Sequence, residues 1–179
     1  MINWKNIWDG KSKKNFLDSM AKSSYNFIQF LIYLKTIEKN LKGLNAKDVL
    51  LDCGCGYGYL SLIFSPFVKK IYCFDYSKKM IKRGKKFLKE TDNIKIYNDD
   101  ILTFKNTRKQ KVQFNKVLVG SVFQYLKNYD ELEYSLRNLF EISRSKTKYL
   151  ITQIPDKKKQ KVFFILIKKL IGIKKKKKK

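Results

Sequence analysis

Between residues 48 and 154 the chain alternates short apolar runs with segments of helical period. Val49–Leu51, Lys70–Asp75, Asn93–Tyr97, Phe114–Gly120 and Lys148–Ile154 read as five strands, and the runs at 49–51 and 71–74 are apolar without polar alternation. Such runs suit strands of a parallel sheet covered on both faces. Three helices fall between them. The first spans Tyr59–Ser65. The second is capped by Ser77 with Met80, Gly84, Phe87 and Leu88 inward. The third spans Asn128–Ser143, with Leu132, Leu136, Leu139 and Phe140 on one face and a capping acid near its start. Residues 103–113 read as a basic loop. Upstream, Phe16–Leu41 carries Phe27, Ile28, Leu31, Leu34 and Ile37 near helical spacing, interrupted around Ser23 and Ser24, and Lys42–Asn45 ends it. Residues 1–15 form a polar arm anchored by Trp4, Ile7 and Trp8. Strands alternating with helices predict an α/β fold, a doubly wound parallel sheet with helices on both faces.

The chemistry concentrates where the first strand ends. Asp52-Cys53-Gly54-Cys55-Gly56-Tyr57-Gly58 runs from a buried strand into a glycine-dense turn and then a helix. Glycines at alternate positions free the backbone to bend sharply and to approach a ligand closely. A strand, a glycine turn and a helix start together make a nucleotide-type site. The spacing disfavours a dinucleotide, because GxGxxG would put its third glycine at position 59, which is Tyr59, whereas here it is Gly58. Asp75 follows Gly54 by 21 residues, about the distance at which a βαβ unit returns a carboxylate to a ligand's ribose.

Composition narrows the reading. The 179 residues suffice for one ordinary domain. Lys and Arg number 41 against 15 Asp and Glu, a net charge of +26, of which +11 sits in residues 156–179 and +15 in the body. That raises nucleic acid or an anionic membrane as a partner. The body's lysines are scattered and the chain is rich in Lys, Asn, Ile, Phe and Tyr, so a solvated basic surface is the plainer account. Cys53, Cys55 and Cys73 form no disulfide framework, and with no His in the chain no set of four metal ligands assembles around them. They read as small buried side chains. The N-terminus lacks an apolar signal core and no stretch reaches the ~18 apolar residues of a membrane span, so the expected location is cytoplasmic.

An acid placed before GxGxG resembles the first motif of the class I S-adenosylmethionine-dependent methyltransferases, and three further stretches extend the resemblance in order. Asp75-Tyr76-Ser77-Lys78-Lys79-Met80-Ile81 is similar to that family's DxSxxML stretch. Asp100 and Ile101 stand where the family meets the adenine, with Asp99 at a place where Gly is common. Phe114–Leu126 resembles the fourth motif, with Asn115 for an Asp and Gln124-Tyr125 where a His often lies. The resemblance covers residues 48–154 and implies a strand order 3-2-1-4-5. It also implies S-adenosylmethionine as cofactor, held by Asp52, Gly54, Cys55, Gly56, Gly58, Asp75, Tyr76, Met80, Asp100, Ile101 and Ser121. Gln124 and Tyr125 are then the candidates for acid–base help. Relatives continue past the fifth strand with an antiparallel pair, for which residues after Ile173 are too charged. The expected organisation is an N-terminal helical arm or lid over 1–45, a core over 46–156, and a C-terminal helix with a lysine tail over 157–179.

Methyl transfer from a sulfonium needs placement and exclusion of water more than a catalytic triad, which suits a chain without His. The Asn/Asp-Pro-Pro-Tyr/Phe signature of nucleic-acid amino methylation is absent, since Gly120-Ser121-Val122-Phe123 stands in its place. A small-molecule or sugar-derived acceptor is the expectation. The alternatives are an RNA methyltransferase, a non-catalytic cofactor-binding protein, and an accessory that touches anionic membrane through the tail.

Overall fold

The computed structural model describes residues 3–15, 18, 25–152 and 164–167. In chain order the elements are α1 (Trp4–Lys11), α2 (Phe27–Asn40), β1 (Val49–Cys53), α3 (Tyr59–Phe64), β2 (Lys70–Asp75), α4 (Lys78–Phe87), β3 (Ile94–Asn98), α5 (Lys105–Arg108), β4 (Phe114–Gly120), α6 (Tyr129–Glu141) and β5 (Ser143–Thr152). Short 3-10 turns follow α3 and β4. The strands form one sheet in the order β3-β2-β1-β4-β5 with every pair parallel, as the alternation and the resemblance predict.

Successive strand residues point to opposite faces, and here both faces are dry. Leu50, Ile71, Cys73 and Leu118 pack on one side beneath Ile37 and Leu41 of α2 and Phe64 of α3. Leu51, Cys53, Phe74, Val117 and Val119 pack on the other beneath Phe104 and the α6 row Leu132, Leu136 and Leu139. All three cysteines are free and buried. Among the described residues no helix is long and apolar enough to cross a membrane.

Several boundaries differ from the sequence reading. Phe87 is 40% exposed, and Ile81 takes its expected place inside α4. Its ring lies against Tyr57 and Tyr59 at the surface, with centroids 5.1 and 5.9 Å away. The basic loop at 103–113 contains the turn of α5, steadied by Asp99, whose carboxylate accepts the Thr107 amide and hydroxyl at 2.6 and 2.7 Å. The cap of α6 is Asn128, not an acid: its side chain accepts the Glu131 amide, while Glu131 reaches back to the Lys127 amide. β5 begins at Ser143, where a loop was expected, because Ser143 pairs with Phe114 before a register shift brings Lys148 opposite Lys116. Residues 164–167 are helical, with Leu166 and Ile167 on the α6 side of the core. The rest of the expected C-terminal helix, the lysine tail and most of 16–24 lie outside the described residues. Among the described residues β5 pairs only with β4, so its outer edge is open, and Arg144, Lys146 and Lys148 along it are exposed.

A polar buttress holds the end of the sheet away from the glycine turn. The Asn115 side chain accepts the Val49 amide and donates to Asp48, each at 2.7 Å, which ties β4 to the entry of β1. Asn at this departure from the family pattern thus bonds through both its oxygen and its nitrogen. Lys116, 7% exposed, donates from Nζ to the Leu41 and Gly43 carbonyls at 2.5 and 2.9 Å and lies 3.9 Å from Asp48. Its ammonium satisfies carbonyls at the C-terminus of α2, where a positive charge is favoured. Lys116→Met should lower unfolding free energy by about 1.5–3 kcal/mol in denaturant titrations, the range for hydrogen bonds to a charged group, because Asp48 keeps its other partners.

Candidate functional site

The glycine turn is pinned to the end of β2. The amides of Gly54 and Cys55 both donate to the Phe74 carbonyl, at 2.8 and 2.9 Å, and the Gly56 amide donates to Asp75 Oδ2 at 3.0 Å. The Ser77 amide takes the other oxygen, Oδ1, at 2.8 Å. Gly54 and Gly58 have φ of +73° and +90°, the left-handed region that side chains resist. A Cβ at Gly54 would lie 2.3 Å from Val122 Cγ2, and one at Gly58 2.6 Å from Leu88 Cδ1. These glycines therefore permit both the turn and the close approach of the chain to its neighbours.

Two cavities open above the turn. A narrow one of about 80 Å³ is lined by Trp8, Tyr33, Asp52, Cys55, Gly56, Asp75 and Ser121 among others. A wide one of about 840 Å³ is lined by Trp4, Lys5, Asp100, Ile101, Gln124 and Lys127 among others. Gly54, Tyr76, Val122 and Tyr125 line both, so the cavities share one boundary. Eleven of the thirteen residues singled out from the sequence thus border this space. Gly58 and Met80 do not. Gly58 seats α3 against Leu88, and Met80 is fully buried with its amide held by Ser77 Oγ at 3.2 Å.

The electrostatics are one-sided. Asp52 is buried and accepts the Ser61 hydroxyl at 2.8 Å; burial pushes its carboxyl up to about 6, with the Ser61 bond opposing. Burial also pushes Asp75 up to about 6, opposed by the Ser77 and Gly56 amides and assisted by the charges of Asp52 and Asp9. Among the described residues neither Lys nor Arg lines the narrow cavity, although they make up 41 of the 179 residues of the chain.

The sequence reading expected an arm or lid over residues 1–45 but named none of the contacts that α1 makes. It lies across the site: the Asp9 carboxylate accepts the Ser77 hydroxyl, and Arg83 donates to the Ser12 and Lys14 carbonyls at 2.8 and 2.6 Å. The Arg83 guanidinium also sits 4.0 Å from the centre of the Tyr57 ring. Trp4 and Trp8 bring their rings 4.6 and 5.8 Å from that of Tyr125. Two tryptophans at i and i+4 in a polar arm signalled an anchor, but nothing local named its seat. Tyr33 of α2 was also missed. Its ring lines the narrow cavity, and its phenol is pushed up to about 12 by burial and the charge of Asp52.

Because Asp52 and Asp75 hold their protons up to about pH 6 when folded, against ~4 when unfolded, the folded state binds more protons between those values. Their contribution to stability is therefore fullest below pH 4 and is lost as pH rises through 6. The ligand-free protein should show that loss in denaturant titrations between pH 4.5 and 7, and Asp52→Asn should flatten the slope.

Known proteins place this arrangement. None of the curated proteins matches the sequence. Among solved structures, the N-methyltransferase NodS of Bradyrhizobium japonicum, in complex with S-adenosylhomocysteine, aligns over 80% of this chain and 69% of its own, with 18% identity and a TM-score of 0.63. The precorrin 8w decarboxylase of Methanobacterium thermoautotrophicum aligns over 77% and 70%, with 20% identity and a TM-score of 0.59. A phosphoethanolamine N-methyltransferase of Haemonchus contortus aligns over 83% of this chain but 29% of its own, with 16% identity and a TM-score of 0.56. At these identities the likeness is one of fold. The methyltransferase domain model matches residues 44–174, from ahead of β1 to beyond β5, and on that match the chain belongs to the methyltransferase domain family.

Proposed function

We propose that this methyltransferase uses S-adenosylmethionine and acts on a small-molecule acceptor. The observation that carries the reading is the Asp75 clasp on the wall of the narrow cavity, next in sequence to Tyr76 at the boundary with the wide one. Each oxygen of that carboxylate accepts one backbone amide and keeps lone pairs for a ligand's ribose hydroxyls. Asp100 and Ile101 border the wide cavity on the adenine side that the motif implies, and Asp52 borders the narrow one, where an acid suits the cationic methionine part. S-adenosylhomocysteine in the NodS and phosphoethanolamine N-methyltransferase structures supports the same ligand class.

The bound cofactor would supply an electrophilic methyl and its own leaving group, so the residues of the chain position and desolvate. The glycine turn presents backbone, Asp75 orients, and α1 covers the space with Trp4 and Trp8. Burial raises the Tyr125 phenol, with a Gln124 hydrogen bond opposing, so Tyr125 keeps its proton and donates a hydrogen bond in preference to acting as a base.

Calorimetry with S-adenosylhomocysteine tests the assignment. Asp75→Ala should weaken binding by about 1.5–3 kcal/mol, roughly ten- to a hundredfold. Folded protein that binds no S-adenosylhomocysteine, or a variant that binds it as tightly as the parent, would contradict the reading.

A further inference from the structure

We infer that the acceptor is an organic amine, received with its nitrogen against the aromatic wall of Trp8 and Tyr125. The inference rests on the cofactor assignment just made, since it concerns the second ligand of the same site. Tyr125 borders both cavities, Trp8 the narrow one and Trp4 the wide one, so three clustered rings stand where the two spaces share a boundary. Ring faces attract ammonium groups, and Trp more strongly than Tyr. The Trp8 ring does so within this chain, with Lys11 Nζ 4.8 Å from its centre.

Charge and proton chemistry select among acceptors. A thiolate or phenolate would bring a negative charge into a cavity lined by Asp52 and Asp75 and, among the described residues, by no Lys or Arg. An alcohol would have to surrender its proton during attack, and the carboxylates of the site are engaged elsewhere: Asp52 accepts the Ser61 hydroxyl and Asp75 the Gly56 and Ser77 amides. The chain has no His. The phenols of Tyr33 and Tyr76 are pushed up to about 12, mainly by burial. An amine releases its proton to water beforehand and arrives with a free lone pair. That pair forms the new N–C bond as the C–S bond of the cofactor breaks and its electrons stay on sulfur. The positive charge passes from sulfur to nitrogen, where the rings of Trp8 and Tyr125 can stabilise it.

The two tryptophans of the chain are both in α1, so intrinsic fluorescence reports on this wall. The full chain, saturated with S-adenosylhomocysteine, is titrated with choline and with its uncharged isostere 3,3-dimethyl-1-butanol. Choline should give a saturable change at about tenfold lower concentration than the isostere. Tyr125→Phe should keep that preference, and Tyr125→Leu should reduce it at least threefold. Equal response to both probes, no response to choline, or a preference unchanged in Tyr125→Leu would overturn the inference. Calorimetry on the same samples separates the cases: normal S-adenosylhomocysteine binding with no choline preference defeats the amine alone, and absent binding defeats the cofactor assignment and the amine with it.

Discussion

The clasp between the glycine turn and the end of β2 is the constraint on which the site depends. β1 and β2 lie side by side in register, with Cys53 opposite Phe74, so the turn leaving β1 meets the last carbonyl and the last carboxylate of its neighbour. The Phe74 carbonyl and Asp75 then fix three consecutive amides, those of Gly54, Cys55 and Gly56. With those amides fixed, the chain must pass through left-handed conformations, and only glycine does so without strain. Asp75 is thus a structural acceptor and, on the proposed reading, a binding group at once. Its replacement disturbs the turn as well as any ligand.

The acids of the site are held at a cost. A buried carboxylate without a cation is unfavourable, and the charge of Asp52 raises Asp75 further. A chain so rich in lysine had many opportunities to neutralise them and places no lysine beside them in the narrow cavity. That arrangement is what a site for a cationic ligand requires, since the ligand supplies the missing charge. The same logic runs in reverse at the opposite end of the sheet, where Lys116 is buried among carbonyls and Asp48 and has no ligand to meet.

The sheet order and most of the site were legible because they depend on local signals. Unbroken apolar runs marked buried strands, and an acid at the end of two of them marked the ligand side. What stayed hidden depends on contacts between distant segments. Nothing near Asp9 in sequence points to Ser77, and nothing near Tyr33 points to the narrow cavity that it lines. Phe87 was misplaced because helical period gives a stripe and not its edges, and two tyrosines of the glycine turn drew it to the surface. The start of β5 was missed because Ser143–Thr147 has loop-like composition, while pairing with β4 through a register shift makes it strand. Gly58 and Met80 matched a motif yet serve the packing beneath the cavities, so a motif position need not be a contact position.

Among the described residues β5 has an open outer edge, which bears on how the protein is handled. Unpaired strand edges invite other chains, and charged side chains along an edge are one of the ways sheets discourage it. Arg144, Lys146 and Lys148 recur at alternate exposed positions, so two copies approaching edge to edge would set like charges against each other. This guard is electrostatic and not steric, so dissolved salt weakens it: the Debye length falls from about 10 Å at 0.1 M to about 3 Å at 1 M. Concentrated brine, ordinarily a mild environment for a folded domain, removes the repulsion that keeps these edges apart.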